Sequence, residues 1–195
     1  MKYICVFAGS SKGSREVYQQ AAQALGQELV TRGMGLVYGG GTVGLMGVIA
    51  DAVLAHGGEV IGVIPRALFP RELAHPNLTA LHDVQSMHER KNLMADLSDG
   101  FIALPGGFGT FDELFEMATW VQVGLHSKPI GLLNVENYFA PVLAQMDLAV
   151  KEGFLVPQYA SLLMHNERPA DLLDALATFR PEAYRVKWRD TPLEP

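Results

Sequence analysis

A single cysteine, Cys5, in 195 residues leaves no disulfide framework, and it lies inside an apolar run that reads as a strand, so it is core rather than nucleophile. Charge is scarce too: 18% of residues are charged, the formal net charge is −6, and no basic run interrupts this balance. Nucleic acid and anionic membrane surfaces are therefore excluded as partners. No apolar stretch is long enough to span a bilayer, and the run Tyr3–Ala8 is too short for a signal-peptide core, so a reducing, cytoplasmic setting is expected. His56, His75, His82, His88, His126 and His165 are scattered without metal-ligand spacing, and no Gly-x-Ser-x-Gly elbow occurs. Neither a metal nor a cofactor is implied. Repeats, linkers and low-complexity segments are absent.

What is present is a composition 49% hydrophobic, enough for one domain over 1–180 with an unpatterned tail over 181–195. Short apolar runs predict strands at Lys2–Ala8, Gly35–Tyr38, Val60–Ile64, Leu78–Val84, Phe101–Leu104, Pro129–Leu133 and Ser161–Met164. Apolar residues at helical spacing predict helices between them, among them Ser86–Leu97, Thr110–Val123, Phe139–Lys151 and Pro169–Thr178. The alternation gives an α/β fold with a doubly wound, mostly parallel sheet, in which ligands lie beyond the carboxyl ends of the strands.

Four loops leave those ends: Gly9–Ser14, Gly39–Gly47, the irregular stretch from Pro65 to Glu72, and Pro105–Thr110. Three are glycine-rich and open a helix, a geometry that presents free backbone N–H groups and a positive dipole end to a phosphate. Ser10, Gly39, Gly40, Gly41 and Gly106 are candidate contacts on this ground. Gly39-x-Gly41-x-x-Gly44 satisfies the dinucleotide fingerprint, with Glu59 further on as a ribose partner, but it follows the second strand rather than the first. After the last loop, Asp112, Glu113 and Glu116 crowd the start of a helix. Thr110-x-x-Glu113 also matches a capping box, in which Glu113 would bond back to the Thr110 amide.

Ser86-Met-His-Glu-Arg90-Lys91-Asn-Leu-Met94 supplies a second signal. Met87, Met94 and Leu97 make an apolar helical stripe, and Arg90 falls on it with Lys91 beside it. Fixed charge on a core-facing stripe demands a partner, either a carboxylate such as Glu113 or an anionic ligand.

Pro105-Gly-Gly-Phe-Gly-Thr-Phe-Asp-Glu113 together with Met87-His-Glu-Arg90-Lys91 resembles the paired signature of the Lonely Guy (LOG) family, PGGxGTxxE and its companion arginine–lysine motif. Tyr38–Gly47, Pro70-Arg-Glu72, Thr119-Trp120 and Gly131-Leu-Leu-Asn134 fall where that family has them, and the likeness runs from about Lys2 to His165. The resemblance implies a Rossmann-like, three-layer nucleotide-binding fold, a homodimer, and hydrolysis of a nucleoside 5′-monophosphate to free base and ribose 5-phosphate. It implies that Arg90 and Glu113 are catalytic, and that Glu72, Lys91, Gly107, Phe108, Gly109, Thr110, Phe111, Asp112 and Thr119 contact the nucleotide. Relatives often carry a lysine-decarboxylase label, a reaction whose pyridoxal setting this sequence does not supply. Two other readings use the same loops: a non-catalytic carrier of a nucleotide or phosphorylated cofactor, and a nicotinamide-dependent oxidoreductase. At a helix N-terminus beside Arg90, Glu113 is expected to stay ionised.

Overall fold

Strands buried on both faces have no polar alternation, so the continuous apolar runs of the sequence become β1 (Tyr3–Phe7), β2 (Gly35–Tyr38), β3 (Val60–Pro65), β5 (Gly100–Ala103) and β6 (Ile130–Leu133). Two edge strands, β4 (Ala80–Val84) and β7 (Leu163–Asn166), are partly exposed. A computed structural model describes residues 1–65 and 74–180. Every strand pair in it is parallel, and the order is β4-β3-β2-β1-β5-β6-β7.

Residue parity sorts the core into two layers. Ile4, Val6, Leu36, Tyr38, Ile102 and Leu104 face α1 (Glu16–Thr31), α2 (Gly44–Ala55) and α7 (Pro169–Ala177). Cys5, Phe7, Val37, Phe101 and Ala103 face α3 (Met87–Asp96), α4 (Phe108–Val123), α5 (Ala140–Lys151) and α6 (Pro157–Ala160). The expected doubly wound, three-layer architecture is what forms. The last strand starts two residues later than the sequence suggests. Pro157 opens the short helix α6, which ends at Ala160, and Ser161 and Leu162 form the turn that leads into the strand.

Chain order reverses at the sheet centre: β2 lies on one side of β1 and β5 on the other. Loops after β1 and β5 therefore meet at a topological switch point, where such sheets bind ligands. They interlock by backbone. Gly9 N–H donates to Pro105 O at 3.1 Å, and Leu45 N–H donates to Gly9 O at 2.9 Å. Gly44, at φ +65°, completes the lock, since a methyl there would lie 2.3–2.5 Å from backbone atoms of Gly9, Ser10 and Ser11. The third glycine of the fingerprint-like run thus seats α2 against the β1 loop. Among the described residues, no helix is long and apolar enough to cross a membrane.

Candidate active site

The helix after the glycine turn begins at Phe108, two residues before the expected start, with Gly107 as N-cap and no side-chain cap. That shift removes the capping-box reading. Thr110 is already inside the helix, and Glu113 lies six residues past the cap, beyond reach of the first N–H groups. No acidic side chain occupies the first turn, so the N–H groups of Phe108, Gly109 and Thr110 face outward without a carboxylate in front of them. A Ser/Glu cap does exist, on α3: Ser86 Oγ accepts from Glu89 N–H at 3.1 Å, and Glu89 Oε2 accepts from Gln85 N–H at 2.7 Å.

That cap fixes the start of α3 and, one turn on, Arg90. Its side chain is buried, with Nη1 3.4 Å from Glu113 Oε1, an ion pair too long for a strong hydrogen bond. Arg90 Nε donates to Val63 O at 3.2 Å. Its other terminal nitrogen rests on Gly39, where a methyl group would lie 2.0 Å from Nη2. Only glycine leaves room for the guanidinium at this place. Four elements thus converge on one pair: β3 through Val63, the β2 loop through Gly39, α3 through Arg90 and α4 through Glu113.

Glu113 is 7% exposed. Burial pushes its carboxyl up to about 7, against the pull of Arg90, with Asp112 and Glu116 adding to the rise and Lys91 opposing it. The expectation of a permanently ionised Glu113 is therefore corrected. It rested on a helix-terminal position that the carboxyl does not occupy, and loss of hydration outweighs one cation at 3.4 Å. A carboxyl poised near neutrality can both accept and return a proton.

Glu113 and Arg90 lie in a cavity of about 350 Å³ at the switch point. Its walls include Ser10, Gly39, Gly41, Gly107, Phe108, Gly109 and Thr110, all singled out by sequence. Ala8, Gly9, Val43, Met46, Ile64 and Met87 also line it; sequence reasoning put Gly9, Val43 and Met46 in ligand-edge loops and Met87 in the arginine–lysine motif but named none of the six as a contact. The polar end is the N-terminus of α4, and the apolar wall is made of Val43, Met46, Ile64 and Met87.

A family described as "possible lysine decarboxylase" matches residues 46–176. The chain is 48% identical over 95% of its length to a rice (Oryza sativa subsp. japonica) protein named probable cytokinin riboside 5′-monophosphate phosphoribohydrolase LOGL2, covering 78% of that protein. It is 48% identical over 94% of its length to Arabidopsis thaliana cytokinin riboside 5′-monophosphate phosphoribohydrolase LOG3, covering 85% of it. The chain belongs to the LOG family. Among solved structures, a molybdenum cofactor binding protein from Rippkaea orientalis superposes with a TM-score of 0.68 at 21% identity, covering 91% of this chain and 96% of that one. A molybdenum cofactor carrier protein from Chlamydomonas reinhardtii gives 0.67 at 21%, over 91% and 97%. At that identity the likeness is one of fold.

Several residues that the LOG signature marks do not reach the cavity. Lys91 is buried, but its ammonium is held by Glu116 at 2.7 Å and Asp112 at 3.1 Å. Burial lowers its proton affinity, and the two carboxylates more than restore it, leaving the group above its ordinary value. Lys91, Asp112 and Glu116 thus form a brace between α3 and α4 that sets the spacing of Arg90 and Glu113. Phe111 packs edge-on against Phe139, with ring centres 6.3 Å apart. Gly40 and Gly106 do not line the cavity; Gly106 instead lines an adjoining cavity with Gly9, Ser10 and Gly107, and its carbonyl accepts from Tyr138 Oη at 2.5 Å. Thr119 is on the exposed face of α4, its hydroxyl donating to Phe115 O at 2.7 Å. Glu72 lies outside the described residues. Glu59 precedes β3 at the amino end of the sheet and accepts from Tyr3 Oη at 2.5 Å. It is one strand length, about 20 Å by the rise per residue, from any ligand at the carboxyl edge, which removes the ribose contact of the nicotinamide reading.

Proposed function

We propose that the protein hydrolyses the N-glycosidic bond of a nucleoside 5′-monophosphate carrying an N6-alkylated adenine, releasing free base and ribose 5-phosphate. The observation that carries this reading is the buried Arg90–Glu113 pair in a cavity whose far end is a bare helix N-terminus. The names of the rice and Arabidopsis relatives point the same way. The phosphate sits on the Phe108, Gly109 and Thr110 N–H groups, and its binding energy positions the ribose. As the C1′–N bond breaks, its electron pair leaves with the base and positive charge develops on the ribose. Water adds to C1′ and its proton passes to the Glu113 carboxylate, which also faces the developing charge, and from there to the departing base, so that neutral free base is released and the carboxylate is restored. Arg90 keeps enough of Glu113 ionised for this step and orients it. A carrier would need no such pair. The decarboxylase reading would need a free lysine amine, whereas Lys91 is committed to Glu116 and Asp112.

Incubation with AMP, N6-isopentenyl-AMP and the two matching nucleosides tests the reading. Free base is expected from the monophosphates, with kcat/KM at least about 100-fold above the nucleosides, a share of the phosphate's binding energy. The isopentenyl nucleotide is expected to lead AMP by about tenfold, as partial burial of its carbons against Val43, Met46, Ile64 and Met87 stabilises by roughly 1–2 kcal/mol. Equal turnover of nucleoside and nucleotide would sink the phosphate assignment.

We further propose that the working unit is a homodimer. Phe115, Thr119 and the almost fully exposed Phe108 (96%) lie on one outward side of α4, beside the cavity mouth. A second copy laid along this side would cover the aromatic rings and carry Thr119 to its neighbour's site, which accounts for a motif residue absent from its own cavity. Sedimentation at micromolar concentration is expected to give twice the chain mass. A monomeric mass with full activity would overturn this.

A further inference from the structure

His75 is a buried histidine outside the cavity lining, 7% exposed, and both ring nitrogens are engaged. Nδ1 accepts from Asn77 N–H at 3.3 Å, so the ring proton is on Nε2, which lies 3.0 Å from Asp51 Oδ1 on α2. The ring is therefore a strut between α2 and the 74–77 segment.

The strut's backbone leads to the site. His75 N–H donates to Gly40 O at 2.9 Å, and Ala74 pairs with Gly41 in an antiparallel bridge. Pro76 follows, restricting His75 to the extended conformation that this pairing uses. From the other side Tyr38 Oη donates to Gly41 O at 3.2 Å. The Gly39–Gly41 turn is thus held from both sides, and Gly39 is the surface on which Arg90 Nη2 rests.

We propose that His75 is a positioning residue for the reaction: its ring ties the 74–77 segment to Asp51 on α2, so that the backbone of Ala74 and His75 holds Gly41 and Gly40 in place, keeps Gly39 against the Arg90 guanidinium and so sets Arg90 against Glu113. This rests on the proposed hydrolysis, since a misplaced Arg90–Glu113 pair is read out as lost turnover. The phosphate end of the cavity belongs to α4, so the defect falls mainly on turnover, with a smaller effect on binding through Gly39, Gly41 and Arg90 in the cavity wall. Displacements of about 1 Å in a reacting constellation cost up to about 100-fold.

The experiment measures kcat and KM on N6-isopentenyl-AMP for the full chain and for His75→Ala, His75→Gln and Asp51→Ala, with circular dichroism melts alongside. His75→Ala is expected to lower kcat at least about tenfold with KM within about threefold. His75→Gln places an amide N–H near the position of Nε2 and is expected to recover kcat to within about threefold. Asp51 is three-quarters exposed, so Asp51→Ala folds and is expected to lose only about two- to fivefold in kcat. A folded His75→Ala with unchanged kcat, or with KM raised and kcat unchanged, overturns the proposal. If His75→Ala does not fold, an unchanged kcat in Asp51→Ala overturns it instead. Inactivity of the unmodified chain on every nucleoside monophosphate would be a failure of the proposed hydrolysis, not of the strut.

Discussion

Replacing Glu113 by Gln is expected to lower kcat by at least about 100-fold while making the protein more stable at pH 8. Gln keeps the shape and one acceptor for Arg90, but it neither takes a proton from water nor offsets positive charge on the ribose. The loss corresponds to about 3–5 kcal/mol of transition-state stabilisation for a positioned acid–base group. The stability gain has a definite pH dependence. Burial raises the folded-state carboxyl from 4.5 to about 7, so the folded chain holds a proton that the unfolded chain has released. Below pH 4.5 this group costs nothing; the cost grows as pH rises and is complete above about 7. The shift amounts to about 3 kcal/mol at most. Glu113→Gln should therefore melt with the parent at pH 4 and several degrees above it at pH 8. In the parent, kcat/KM should rise with pH through a limb near 7. Normal turnover by a folded Glu113→Gln protein would end the catalytic assignment.

Arg90→Ala is expected to act in the opposite direction on stability and to lower kcat/KM by about 100- to 1000-fold, with KM raised as well as kcat reduced, because the guanidinium also faces the ligand cavity. With this cation gone, burial acts on Glu113 against Lys91 alone, and the pH limb moves to higher pH. Breaking a buried pair ordinarily costs about 3–5 kcal/mol, but the remaining carboxylate can escape that by taking a proton. The destabilisation should accordingly be small at pH 5 and large at pH 8. A limb that stays near 7 in Arg90→Ala would show that Arg90 and Glu113 are not electrostatically coupled.

The sheet was legible in the sequence because strands buried on both faces carry unbroken apolar runs, and the glycine punctuation after β1, β2 and β5 marked their carboxyl ends. Arg90 was legible for a related reason: a charge on the Met87–Met94 stripe has to be paired, and the structure pairs it with Glu113. The start of α4 was not. Thr110 and Glu113 have capping-box spacing, but Gly107 can take the cap itself and lets the helix begin at Phe108, which turns Glu113 inward. Its raised proton affinity depends on α3 packing across it, a tertiary fact with no local signature. Lys91 showed its charge but not its partners, since Asp112 and Glu116 come from the next helix. Met46, Ile64 and Met87 were not recognisable as cavity wall, Met87 reading as part of a packing stripe, because an apolar residue in a cavity wall looks like any core residue. His75 looked like one scattered histidine among six, for its partner Asp51 is 24 positions away.

The interlocked loops hang from β1, β2 and β5, strands with a neighbour on each side, while the partly exposed edges β4 and β7 carry none of the backbone lock between Gly9, Leu45 and Pro105. Local opening starts where protection is least, at edges and termini, and central strands exchange their amide hydrogens only when the whole fold opens. The amides of Ile4–Phe7 and Phe101–Ala103 should therefore exchange last of all, at the rate of global unfolding. Fraying of β7 leaves that lock intact, whereas β4 runs into the Ser86 cap of α3, so on heating, catalytic competence should be lost no later than the sheet and first where β4 opens.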